Sequence, residues 1–218
     1  MNLEDWGRKV SLEEFLAIEA LSSDRVEYIG GSTFTRKIEN TNHARISGNL
    51  QSALLRDARE RRYDIFAGTA KIITPRGDHI IPDIVVTSDP RDIDDTDPAA
   101  EAIIRYPWLV LEITSPQTLD RDTVLKAAAY QGMPEIAYCV TVASDRRMLY
   151  VGGRNDKGYF RRSAGDLGDR IVLPAIAESD INIDTIYSRH HSPVDGSDGA
   201  DSTRLGCLKS DLPSLTPL

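Results

Sequence analysis

Cysteine is almost absent from this chain of 218 residues: Cys139 lies in the apolar run AYCVTV and Cys207 in a polar stretch near the C-terminus. Two thiols so placed suggest neither a disulfide framework nor a zinc motif, and they make a reducing cytoplasm the default setting. Long apolar runs are missing too. None approaches the roughly 18 residues of a membrane span, and MNLEDWGRKV has no signal-peptide core. An excess of base is the third absence. With 26 Lys and Arg against 34 Asp and Glu, the formal charge is −8, which at face value argues against a nucleic-acid partner.

The distribution of that charge weakens the objection. The stretch DPRDIDDTDPAAE (89–101) holds six acids and one arginine, a net of −5, and residues 192–218 hold four aspartates against Arg204 and Lys209, a net of −2. Subtracting both from −8 leaves the body at −1, with arginines gathered in RDARERR (56–62), DRR (145–147) and FRR (160–162). Such a body is compatible with nucleic acid without requiring it.

What is present reads as one α/β domain over 1–188, with a mixed sheet flanked by helices and a flexible tail over 189–218. SLEEFLAIEAL (11–21) opens with Ser11 and Glu14 in capping-box spacing and places Leu12, Phe15, Leu16 and Ile18 on an apolar side. RVEYIGG (25–31) is a short strand closed by a Gly-Gly turn. HARISGNLQSALLRDARERR (43–62) is an amphipathic helix with Ile46, Leu50 and Leu54 in one stripe. Strands follow at 63–68, 70–75 and 79–88, then WLVLEIT, a helix through 122–131 stopped by Gly132 and Pro134, and strands at 135–142 and 147–153. ESDINIDTIY (178–187) is a last short strand or turn. No internal repeat is visible.

Three of these apolar runs carry an acid. Glu27 interrupts RVEYI, Asp83 interrupts IIPDIVV, and Glu112 interrupts LVLEIT. Alternation along a strand puts Ile81, Asp83 and Val85 on one face, and Val110, Glu112 and Thr114 on another. Three inward acids brought to one point repel unless a cation or proton sits among them, and hard oxygen donors suit Mg²⁺ or Mn²⁺. Each acid taken singly could instead lie solvated at a strand end or pair with an arginine. Asp122, Lys126 and Tyr130 then fall at i, i+4 and i+8 on the helix after the Glu112 strand. A lone helical lysine is usually a solvated group, here within reach of Asp122. Looking back at a cation site, its ammonium could instead orient a metal-bound water and stabilise charge on a phosphate.

Taken in order, SLEEFLAIE, RVEYIGG, IIPDIVV, LVLEITSPQT and DRDTVLKAAAYQGMPEIAYCV resemble the Uma family of restriction endonucleases, in the PD-(D/E)XK nuclease superfamily. The resemblance runs over about residues 10–187. It implies a restriction-endonuclease-like core, with Asp83 and Glu112 as the acidic metal ligands and Glu27 matching the acid of the first strand. Thr114 stands where the superfamily usually has its lysine, and Lys126 matches the family's lysine on the following helix. His43 matches a histidine opening the first long helix; packing beside the Ile46 stripe accounts for it equally well. YIGGSTFT replaces an Asp-Gly-Glu turn, and CVTVASDRR replaces a Trp-x-Val-Asp-Pro pattern.

The expected function is therefore a Mg²⁺- or Mn²⁺-dependent endodeoxyribonuclease. Asp83, Glu112 and Glu27 would hold the metal, Lys126 would act on the water, and His43, Asp122 and Tyr130 would be accessory. The alternatives are a non-catalytic nucleic-acid or protein-binding module on a nuclease fold, and a metal-dependent hydrolase of another substrate. DNA is the expected partner, and a homodimer is expected by analogy only.

Overall fold

A computed structural model of the chain describes residues 7–36, 40–61, 63–92, 101–116, 118, 121–154, 160–165, 170–171 and 181–189, with backbone only at 56–61, 121–123, 160–165, 170–171 and 181–182. The chain beyond 189, and most of the acidic stretch (93–100), lie outside the described residues.

The chain begins with β1 (Arg8–Lys9) and α1 (Leu12–Leu21). The Ser11 hydroxyl accepts the Glu14 N–H at 3.1 Å, and the Glu14 carboxylate accepts the Ser11 N–H at 2.7 Å, which completes the capping box. The expected apolar side is narrower than the spacing implied: Phe15 is buried, but Leu12 and Leu16 are 39% and 45% exposed. Next, β2 (Val26–Ile29) and β3 (Ser32–Thr35) form a hairpin. Gly30 and Gly31 have φ of 57° and 78°, the left-handed pair that a two-residue hairpin loop demands. The Gly-Gly turn read from the sequence closes β2, and it leads into the antiparallel partner β3. Arg36 follows it directly, its N–H bonded to the Arg25 carbonyl at 2.8 Å.

The long helix α2 (Thr41–Arg61) is begun by Asn40, whose side-chain oxygen accepts the His43 N–H at 2.9 Å. Then come β4 (Asp64–Ala67), β5 (Lys71–Ile73), β6 (His79–Ile80) and β7 (Ile84–Thr87). The run read as one strand over 79–88 is thus two strands. Pro82 has no N–H to offer a ladder, so pairing stops and the chain passes from one sheet into the other.

The second half contributes β8 (Ile103–Ile104), β9 (Leu109–Thr114), a π-helical turn (Arg121–Lys126) and α3 (Ala127–Gln131). It ends with β10 (Tyr138–Ala143), β11 (Leu149–Arg154), β12 (Phe160–Gly165), β13 (Arg170–Ile171), β14 (Ile181–Asn182) and α4 (Ile183–Ile186). Two mixed six-stranded sheets result, in orders β1-β3-β2-β6-β5-β8 and β12-β11-β10-β9-β7-β4, beside a two-stranded pair. The β9–β10 pair is parallel, so the chain must cross over between them, and it does so through the π turn and α3.

Both faces of the second sheet are covered. Ile46, Leu50 and Leu54 of α2 pack with Ile84, Val86, Leu109, Leu111 and Ile113 in one cluster. Val85 and Val110 on the opposite face pack with Ile72, Ile80 and Ile29 of the first sheet and with Tyr130 of α3. The site lies on this second, inter-sheet side.

Candidate active site

Alternation along β9 decides where Glu112 goes. Leu109, Leu111 and Ile113 face α2, so Val110, Glu112 and Thr114 face the other sheet and α3. Glu112 is 2% exposed. Burying a carboxylate costs several kcal/mol unless it is paired, and here it is. Its Oε1 accepts the Tyr130 hydroxyl at 2.5 Å, and its Oε2 lies 3.0 Å from Lys126 Nζ. Tyr130 is itself fully buried. Burial first, and then the Glu112 charge, push its hydroxyl well above the usual tyrosine range.

Lys126 ends the π turn and is 2% exposed. It stands one helical turn before Tyr130, so both side chains reach the same carboxylate. The ammonium also lies 3.0 Å from Oε1 of Glu27, which comes from β2 in the opposite sheet. Glu27 Oε1 in turn accepts the Ile81 N–H at 2.9 Å.

Asp83 sits just beyond Pro82, with its carbonyl accepting the Gly68 N–H at 2.8 Å. Its Oδ2 accepts the N–H of Ile113, next to Glu112, at 2.6 Å. Its Oδ1 pairs with the Arg36 guanidinium and lies 3.3 Å from His43 Nε2. Arg36 also donates to the Ile81 carbonyl at 2.9 Å. Burial alone would raise the Asp83 carboxyl; the His43 hydrogen bond and the Arg36, His43 and Lys126 charges outweigh it and hold it below the usual carboxylate range.

The fold therefore brings Glu27, Asp83, Glu112, Lys126, His43 and Tyr130 to one place. Asp122 lies in the π turn, and its side chain is outside the described residues. Lys126 is a buried member of this cluster and not a solvated helical group. Arg36 is the member that the sequence did not announce: it stands in the polar stretch FTRKIEN, with no pattern around it. Of the basic clusters, Arg146 and Arg147 pair with Asp145 and Asp184, while the side chains at 56–62 and 160–162 lie outside the described residues.

The donor set bears on a metal. Among the described residues no three His, Cys, Asp or Glu side chains converge as a cage. Mg²⁺, however, commonly takes one or two carboxylates and keeps several waters. Asp83, whose Oδ2 accepts the Ile113 N–H, stands opposite Glu112 one step past the Ile84–Leu111 pair of β7 and β9, and the two offer hard carboxylates of that kind.

The mixed sheets flanked by helices form an α/β core of the restriction-endonuclease-like class. The chain belongs to the Uma2 family, described as "Putative restriction endonuclease", which matches residues 12–185. It is similar to the uncharacterized protein slr1290 of Synechocystis sp. (strain ATCC 27184 / PCC 6803 / Kazusa), 29% identical over 180 residues, covering 82% of this chain and 92% of that protein. A second protein of the same organism, the uncharacterized sll1609, is 25% identical over 125 residues, covering 56% of this chain and 68% of its own. Among solved structures, "a putative nuclease belonging to DUF820" from Anabaena variabilis ATCC 29413 superposes with a TM-score of 0.66 at 18% identity, covering 82% of this chain and 98% of that one. At that identity the likeness is one of fold.

Proposed function

We propose that the protein is a metal-dependent endonuclease that hydrolyses phosphodiester bonds in DNA. The observation that carries this reading is the register of β7 on β9, which one step past the Ile84–Leu111 pair sets Asp83 opposite Glu112, with Lys126 Nζ 3.0 Å from Glu112. Asp83 and Glu112 would hold Mg²⁺ or Mn²⁺, which when bound supplies Lewis-acid stabilisation of charge on phosphate and a more acidic water. Lys126 keeps a compact positive charge at the same carboxylate, where it can offset charge developing on a phosphate oxygen. Arg36 and His43 hold Asp83 ionised and oriented, and Tyr130 does the same for one oxygen of Glu112.

A second reading, a non-catalytic nucleic-acid or protein-binding module, is favoured by the depth of Lys126, which is 2% exposed and engaged by two glutamates. The test is incubation of the purified protein with plasmid and with single-stranded DNA, in Mg²⁺, Mn²⁺ or EDTA. Cleavage with metal, its loss in EDTA and its loss in Asp83→Asn are expected. Silence on every substrate with either metal would leave the binding module.

A further inference from the structure

A four-residue strand such as β2 has no reason of its own to bury an acid, yet Glu27 is wholly buried in it. Two bonds of its Oε1 bear on the site. One goes to the Ile81 N–H at 2.9 Å. Ile81 precedes Pro82 and Asp83, where the strand breaks, so Glu27 takes a donor that the ladder leaves over and fixes the segment leading to Asp83. The other goes to Lys126 Nζ at 3.0 Å, matched by Glu112 at 3.0 Å. A lysine carries its charge on a flexible four-carbon stem. Carboxylates from two different sheets confine that charge to one place. What separates Glu27 from Glu112 is thus an ammonium, and no three acids form a cage among the described residues.

We infer that Glu27 is a positioning residue for Lys126 and not a ligand of the metal. Its carboxylate anchors the lysine from the opposite sheet, so that the ammonium stays beside Glu112 while Asp83 and Glu112 serve the cation. The inference rests on the nuclease reading only where it gives Lys126 work on a substrate; the placement of the ammonium is independent of it.

Glu27→Gln keeps the shape and an acceptor for Ile81 while removing the charge. Titration calorimetry with Mn²⁺ should leave its affinity within about twofold of wild type, whereas Asp83→Asn, which removes one of the two carboxylate ligands, should abolish measurable binding. Equal weakening in both variants would overturn the inference. In ¹⁵N-labelled protein the buried Lys126 ammonium should give a slowly exchanging Nζ–H signal that Glu27→Gln shifts or abolishes; an unchanged signal overturns it too. Where a substrate is cut, Glu27→Gln should lower kcat by about 10²-fold with KM held, and the loss should vanish in a Lys126→Met background. A loss that simply adds marks a structural role and overturns the inference. If wild type takes up no Mn²⁺, the metal clause of the proposed function fails, while the ammonium signal still decides the role of Glu27. If Glu27→Gln does not fold, Glu27→Gln/Lys126→Met removes both charges and carries the titration: retained Mn²⁺ affinity supports the inference, and its loss overturns it.

Discussion

Lys126 Nζ lies 3.0 Å from Oε2 of Glu112, so the ammonium and any metal ion held by Glu112 contend for one carboxylate. Removing the lysine takes the ammonium away from two buried glutamates, a loss of about 3–5 kcal/mol for a broken buried pair. In EDTA, Lys126→Met should therefore melt well below wild type. Adding Mn²⁺ should raise its melting temperature more than it raises that of wild type, because binding to the folded state now replaces the missing cation. Equal metal-induced shifts in thermal scans of the two proteins would show that the two cations do not compete.

The hydroxyl of Tyr130 is a second hold on Glu112, at 2.5 Å and with no exposure to water. A hydrogen bond to a charged group contributes about 1.5–3 kcal/mol. Tyr130→Phe keeps the packing against Ile136 and Met133, so the expected loss is of at least that size, because a buried carboxylate oxygen loses this donor. Urea unfolding should show a lower midpoint at an unchanged slope. A midpoint equal to wild type would mean that the hydroxyl contributes nothing.

Much of this site is legible in the residues, and what is hidden has physical reasons. The β9 alternation places Glu112 on the inter-sheet face, and the spacing of Lys126 and Tyr130 puts both on the side that meets it. Local periodicity is sufficient for such relations. It cannot show that Pro82 divides one apolar run between two sheets, because a period of two is silent about which ladder a strand joins. Nor can it find Arg36, whose partner Asp83 is 47 residues away and whose position depends on how the β2–β3 hairpin ends. The π turn escaped for another reason: Asp122, Lys126 and Tyr130 fit an α-helical face equally well, and only the last turns are α.

Against burial, which raises it, the His43 hydrogen bond and, after it, the Arg36 charge hold the Asp83 carboxyl down, below the usual range. A depressed carboxyl contributes stability above its unfolded value of about 3.9, and loses it as pH falls through the folded value. Arg36→Gln should bring that folded value back up. Acid unfolding followed by circular dichroism should then begin at a higher pH than in wild type. Asp83→Asn, which has no proton to take up, should lose this component altogether. An acid midpoint in Arg36→Gln identical to wild type would remove Arg36 from the account.

The alkaline limit belongs in part to Tyr187, far in sequence from the site but packed on the same α2 core. It is 3% exposed, and its hydroxyl faces the Ala143 and Met148 carbonyls at 2.9 and 2.6 Å while accepting the Met148 N–H at 3.1 Å. Burial pushes the hydroxyl up to about 12, against the lowering effect of the Met148 N–H and with a further rise from Asp145. The folded state therefore keeps its proton where the unfolded chain, at about 10, gives it up. The stability it contributes is complete below the unfolded value and is lost as pH rises through the folded one. Two pH units correspond to about 2–3 kcal/mol, spread over that window. Tyr130, also raised, adds a second component of the same sign. Tyr187→Phe removes the hydroxyl from the Ala143 and Met148 carbonyls, while the Met148 N–H keeps the Arg146 carbonyl at 2.9 Å, so a neutral-pH loss of about 1 kcal/mol is expected. Its stability should then fall less steeply than that of wild type between pH 10 and 12. Urea unfolding at pH 8, 10 and 11 measures both effects in one series. Parallel pH slopes in the two proteins would show that the Tyr187 hydroxyl does not titrate with the fold.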